Sequence, residues 1–81
     1  MTPDQFQREV GEWGKATFPN STLLSIMAHL REEVAELDHE VRAGLPKHGP
    51  ARYFGQVAIG EELADCYLLL LHLAHRVGID L

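Results

Sequence analysis

Cysteine, positive charge, aromatic residues and long apolar runs are all scarce in this sequence, and each shortage excludes something. The single cysteine, Cys66, has no partner for an internal disulfide, which fits a reducing compartment. Seven lysines and arginines face 12 aspartates and glutamates, a formal net charge of −5 with histidine neutral. An acidic surface repels phosphate backbones, so a nucleic-acid partner held through a basic patch is disfavoured. The longest uninterrupted apolar run, Cys66 to Leu71, falls far short of the roughly 18 residues needed to cross a bilayer. Asp4, Arg8 and Glu9 do not fit the start of a signal peptide. Strand-like alternation of useful length, internal repeats and low-complexity tracts are missing as well. These shortages predict a soluble cytoplasmic protein with no nucleic-acid or membrane partner.

What is present predicts an all-α fold. Eighty-one residues, 46% of them apolar, make one domain over residues 1–81. A chain of this size buries only about 60% of the surface its unfolded form exposes, so association with a further copy is expected. Thr2-Pro3-Asp4-Gln5 combines an N-cap, a proline at the first helical position and a capping-box glutamine. It should start a helix over residues 3–18 that keeps Phe6, Val10, Trp13 and Phe18 on one side and stops at Pro19. Gly11 and Gly14 weaken that helix. Asn20, Ser21 and Thr22 offer the next N-cap, for a second helix over 22–43. Leu23, Met27, Leu30, Val34, Leu37 and Val41 share one of its faces, and Gly44 and Pro46 end it.

Residues 45–52, with two prolines and a glycine, read as a loop. A third helix over 52–77 then carries Ile59, Leu63, Cys66, Leu70, Leu73 and Val77 in the same rhythm, with Tyr53 and Phe54 anchoring its start. Gly78 stops it, and Ile79 is placed for the apolar contact beyond a Schellman cap. Tyr67 to Leu71 is apolar all the way round, which suggests a subunit interface; the alternative is one greasy helix turned into a small core. An antiparallel bundle of about three helices, completed by oligomerisation, is the expected architecture.

The acids are unevenly placed. Five lie between Glu32 and Glu40 and three between Glu61 and Asp65, so two short windows inside helices hold most of the negative charge. Glu33 and Glu36 are three residues apart, about 60° round a helix, and Glu62 and Asp65 repeat the spacing. Each pair borders an apolar stripe, so neither points straight into water. Across antiparallel helices four carboxylates can share one groove, where mutual repulsion calls for a compensating cation. Hard oxygen ligands suit Mg²⁺, with Mn²⁺ as a substitute, and bound Mg²⁺ recruits substrate phosphates. The plainer reading is a pair of solvated acidic faces, which is what Glu32 and Glu61 look like.

The stretch His29-Leu30-Arg31-Glu32-Glu33-Val34-Ala35-Glu36-Leu37, followed 25 residues later by Glu62-Leu63-Ala64-Asp65, resembles the ExxE…ExxD signature of the MazG-like all-α nucleoside triphosphate pyrophosphatases. Trp13-Gly14, Phe18-Pro19 and Gly78-Ile79-Asp80-Leu81 further resemble the dATP/dGTP diphosphohydrolase-like branch, so the likeness spans nearly the whole chain. It implies Mg²⁺-dependent hydrolysis of a nucleoside triphosphate to the monophosphate and pyrophosphate. It also implies that Glu33, Glu36, Glu62 and Asp65 are metal ligands and that the protein is a homodimer or homotetramer. Glu33 and Glu36 are then catalytic, Glu36 as the carboxylate that orients the attacking water or accepts its proton.

One departure from the branch concerns its C-terminal segment, whose lysines and arginines can hold phosphates. Relative to that pattern this chain is short, and Lys15, Arg31, Lys47, Arg52 and Arg76 match none of those positions. The resemblance then implies a minimal version, a shortened chain, or cations borrowed from a neighbouring subunit. A non-catalytic helical oligomerisation or interaction module of the same fold is the alternative function.

Other residues carry less. Glu36-Leu37-Asp38-His39 is an ExxH, but a di-iron bundle needs that motif on two helices, and the third offers His72-Leu73-Ala74-His75. His48 reads as an exposed loop residue and His72 as lining a groove or interface. Trp13 is the candidate for stacking a nucleobase, against the plainer reading that Phe6, Trp13 and Phe18 are core. Cys66 reads as a buried, inert thiol.

Overall fold

A computed structural model describes residues 1–44 and 56–81, and among them there are three helices and no strand: α1 (Pro3–Thr17), α2 (Leu23–Ala43) and α3 (Gln56–Val77). The expected loop, His48, Lys47, Arg52, the anchors Tyr53 and Phe54, and the start of the third helix before Gln56 lie outside the described residues. No helix among the described residues is long and apolar enough to cross a membrane.

Local signals set the ends of the helices. Thr2 caps α1, its Oγ1 accepting from Gln5 N–H at 3.2 Å while Gln5 Oε1 accepts from Thr2 N–H at 2.8 Å. Of the three candidates before α2, Thr22 is the cap, in a reciprocal pair with Ser25. Ser21 instead makes a tertiary contact. Its hydroxyl and carbonyl oxygens accept from the Arg76 guanidinium at 3.0 Å each, tying the α1–α2 turn to the far end of α3. Gly78 takes the left-handed conformation, φ +76°, and the Schellman bond from Ile79 N–H to the Ala74 carbonyl forms at 2.9 Å. Ile79 itself stays about half exposed, at 55%. Its carbonyl accepts from Gln7 Nε2 at 2.6 Å, and Gln7 Oε1 accepts from Leu81 N–H at 2.9 Å. Buried Gln7 thus clips the end of the chain to α1.

Packing departs from the apolar stripes. The buried side of α1 is Gln7, Val10, Gly11 and Gly14, whereas Trp13 and Phe18 are about half exposed at 54% and 45%. Phe6 stacks on Tyr67, ring centroids 6.2 Å apart. The glycines are what bring α1 onto α3. His75 lies directly over Gly11, and a Cβ at Gly14 would stand 2.6 Å from the His72 imidazole. Any side chain there would have to displace those imidazoles, so residues that lower intrinsic helix propensity permit a close contact between helices.

Helix α3 packs on both of the others, while among the described residues the backbones of α1 and α2 do not pack on each other. Ile26 and His29 of α2 share a cavity with Leu69 and His72, and Val41 shares one with Ile59, so α2 and α3 run in opposite directions. On α2 only Ile26 is buried. Leu23 and Val34 from the expected stripe are exposed, as are Leu63, Leu70 and Val77 on α3. The buried residues of α3 are Cys66, Leu71, His72 and Ala74. The seam is therefore rotated away from the purely apolar line towards the flank that carries the acids.

Gly14→Ala should cost about 1–3 kcal/mol of stability by overpacking against His72, despite alanine's better helix propensity. Urea denaturation followed by circular dichroism checks this; a stabilised variant would refute the close approach.

Candidate metal centre and adjoining cavity

Glu33 occurs at the middle of α2, and Glu62 and Asp65 one turn apart on α3, where the antiparallel seam brings them level. One carboxylate oxygen from each lies within 4.8 Å of the others. Glu33 and Glu62 are partly buried and Asp65 is exposed. Glu36, the fourth residue singled out in the sequence, is exposed and stands outside this threesome, though close enough to Glu62 to affect its ionisation. Glu32 and Glu61 face solvent.

Crowding has an electrostatic consequence. The Glu62 carboxyl is pushed up from 4.5 to about 7. Burial is the largest cause, because it disfavours the anion; the neighbouring Glu33 and Glu36 carboxylates also favour a retained proton and repel the charged form. Burial also raises the Cys66 thiol, with Glu33, Glu62, Asp65 and Glu36 contributing. Cys66 is a buried, protonated thiol one residue beyond the site.

Among the described residues, Oε2 of Glu33 and Oε2 of Glu62 are buried without a hydrogen-bond partner. Orphaned carboxylate oxygens are costly, and three oxygen donors this close suit a hard divalent cation, so the residues fit Mg²⁺ or Mn²⁺ chemically. Among the described residues, the basic group set against them is His29, whose Nε2 lies 3.3 Å from Glu33 Oε1. The guanidinium of Arg42 is taken by Asp38 at 2.9 Å, and that of Arg76 by Ser21.

Beside the carboxylates opens a cavity of about 170 Å³. Trp13, Phe18, Leu68 and Leu69 form its apolar walls, and His29 and His72 adjoin them. Glu33 and Asp65 belong to this cavity and to the acidic threesome alike, so the two features are continuous. Trp13 meets Phe18 edge to face, centroids 5.9 Å apart at 89°. His72 is 3% exposed, its Nε2 has no partner among the described residues, and its basicity is lowered by burial first and then by Arg76 and His75.

The structure thus brings Glu33, Glu62 and Asp65 together, leaves Glu36 at their edge, and sets Trp13 a cavity's width away. Leu68, Leu69 and the role of His29 escaped the sequence reading. The four-residue spacing of His29 and Glu33 was the available signal, but a helical pair of that kind is too common to single out. The chain matches no family model, no curated protein and no solved structure.

Because Glu62 has a higher pKa folded than unfolded, its contribution to stability is complete below pH 4.5 and is lost as pH rises through about 7. In EDTA, denaturant midpoints should therefore carry a downward slope between those values that Glu62→Gln removes. An unchanged slope in the variant would show that Glu62 is not the crowded group.

Proposed function

We propose that this protein is a metal-dependent nucleoside triphosphate pyrophosphohydrolase of the MazG-like kind, cleaving a (deoxy)nucleoside triphosphate to the monophosphate and pyrophosphate. The observation that carries the reading is the continuity of three clustered carboxylates with an aromatic-walled cavity. One feature suits a cation-bound polyphosphate and the other a flat heterocycle, and a nucleotide presents both. The residue pattern resembling ExxE…ExxD supports the same assignment.

Glu33, Glu62 and Asp65 hold the cation, with Glu36 as the fourth carboxylate of the set. Bound Mg²⁺ or Mn²⁺ supplies charge neutralisation for the phosphates and acidifies a water. Glu36, exposed and outside the threesome, keeps an oxygen free to orient the attacking water and accept its proton. Trp13 offers the base its indole, and Leu68 and Leu69 exclude water behind it. The acidic character of the chain then selects for substrates that arrive with a cation. A cytoplasmic setting, where nucleotides and Mg²⁺ are plentiful, fits this chemistry.

The finer architecture belongs to the proposal too. Leu63, Tyr67 and Leu70 on α3 and Val34 on α2 are exposed apolar side chains at helical spacing. A second copy laid over them would complete an antiparallel bundle, as a homodimer or, by repetition, a homotetramer. The same surface favours the alternative reading, a non-catalytic helical oligomerisation or interaction module.

Pyrophosphate release from the common nucleoside triphosphates, assayed with Mg²⁺, Mn²⁺ and EDTA, separates the two. The enzyme reading expects metal-dependent release that Glu36→Gln and Asp65→Asn each lower at least about a hundredfold. Asp65→Asn should also weaken Mn²⁺ binding, and by more than Glu36→Gln does. No release from any triphosphate by folded protein would leave the interaction module. Sedimentation should give at least twice the 9.1 kDa chain mass, and Leu70→Glu should shift the protein towards the monomer; a monomeric wild type would remove the oligomer.

A further inference from the structure

His29 sits where the two halves of the site meet. Its Nε2 lies 3.3 Å from Glu33 Oε1, and its ring also lines the aromatic cavity beside Trp13 and Phe18. The side chain is 47% exposed, so the imidazole stands at the mouth of the cavity. A nucleotide with its heterocycle against Trp13 and its phosphates on the carboxylate threesome must pass this point with its sugar and first phosphate.

Among the described residues of the cavity, few other groups can meet that phosphate. Among the described residues that line the cavity, the side-chain nitrogen donors are Trp13, His29 and His72, and the His72 Nε2 is shut away from solvent. Arg76 is held by Ser21 through both terminal nitrogens, and Arg42 sits on Asp38 near the C-terminal end of α2, well away from His29 along the helix. Glu33 Oε2, which has no partner among the described residues, is open to a cation, and a cation that drew Oε1 as well would free the imidazole to face the approaching phosphate.

We propose that His29 changes partners: it rests on Glu33 in the nucleotide-free protein and donates its Nε2–H to a phosphate oxygen of the nucleotide seated in the aromatic cavity. In the free state the imidazole offsets part of the carboxylate crowding. In the loaded state it is a phosphate-binding donor supplied from within the chain. The assignment rests on the nucleotide reading above, and its two contacts call for opposite effects on cation and on nucleotide.

The test uses the full chain, whose one tryptophan, Trp13, reports on the cavity by fluorescence. Wild type, His29→Ala and His29→Gln are titrated with α,β-methylene nucleoside triphosphates in Mg²⁺, and with the matching nucleosides. Mn²⁺ binding to the nucleotide-free proteins is followed by electron paramagnetic resonance. His29→Ala should bind the triphosphate analogues about tenfold more weakly, the usual worth of one hydrogen bond to a charged group. It should bind nucleosides as wild type does, and Mn²⁺ as tightly or more so. His29→Gln, which keeps an N–H donor, should recover most of the loss. Unchanged analogue binding in His29→Ala overturns the proposal. So does a fall in Mn²⁺ affinity matching the loss of analogue, because His29 would then only position Glu33. Wild type that binds Mn²⁺ and analogues with this pattern, yet releases no pyrophosphate, upholds the role of His29 and defeats the hydrolase reading. Wild type that takes up no Mn²⁺ removes both.

Discussion

Glu33, Glu62 and Asp65 are held together on the seam between α2 and α3 against their own repulsion. Like charges this close can both ionise only at a cost, and partial burial raises it. The cost is reflected in a Glu62 carboxyl pushed up to about 7, two carboxylate oxygens without partners among the described residues, and an imidazole leaning on Glu33. On the reading proposed above, a bound cation would relieve that strain.

The strain is sustained by how firmly α3 is gripped on its other side. Gly11 and Gly14 let α1 settle onto His75 and His72, and Gln7 fastens the turn after α3 with two hydrogen bonds. Arg76 draws the α1–α2 turn to the same helix. With α1 seated this way, Trp13 and Phe18 are left at the edge, half exposed, and become walls of a cavity that continues into the carboxylates. Close packing at one contact thereby leaves room for a ligand at the next.

Much of the fold was legible in the chain. Thr2 with Gln5, the Pro19 stop and the Gly78 cap are local devices, and a helix end depends on atoms three to five residues away. The all-α class followed from apolar spacing in the same way. Which side of each helix is buried was less legible. A stripe such as Leu23, Met27, Leu30 and Val34 marks an apolar arc without saying which part of it meets a neighbour, and Val34 and Leu63 ended outside the seam. The glycines misled for a related reason: their cost to an isolated helix is local, whereas their value, close approach to two histidines, exists only between helices.

For the candidate site, the chain by itself determined the ingredients. Spacing of three put Glu33 with Glu36 and Glu62 with Asp65 on helical flanks, because one turn of helix brings such residues to the same side. Only the tertiary structure decided that Glu33 joins Glu62 and Asp65 while Glu36 stays at the rim, and that Trp13, Leu69 and His29 adjoin them. Those relations depend on the rotation of α2 about α3 and on the depth of α1. Both are set by side-chain volumes meeting across the seam, and no periodicity along one helix encodes them.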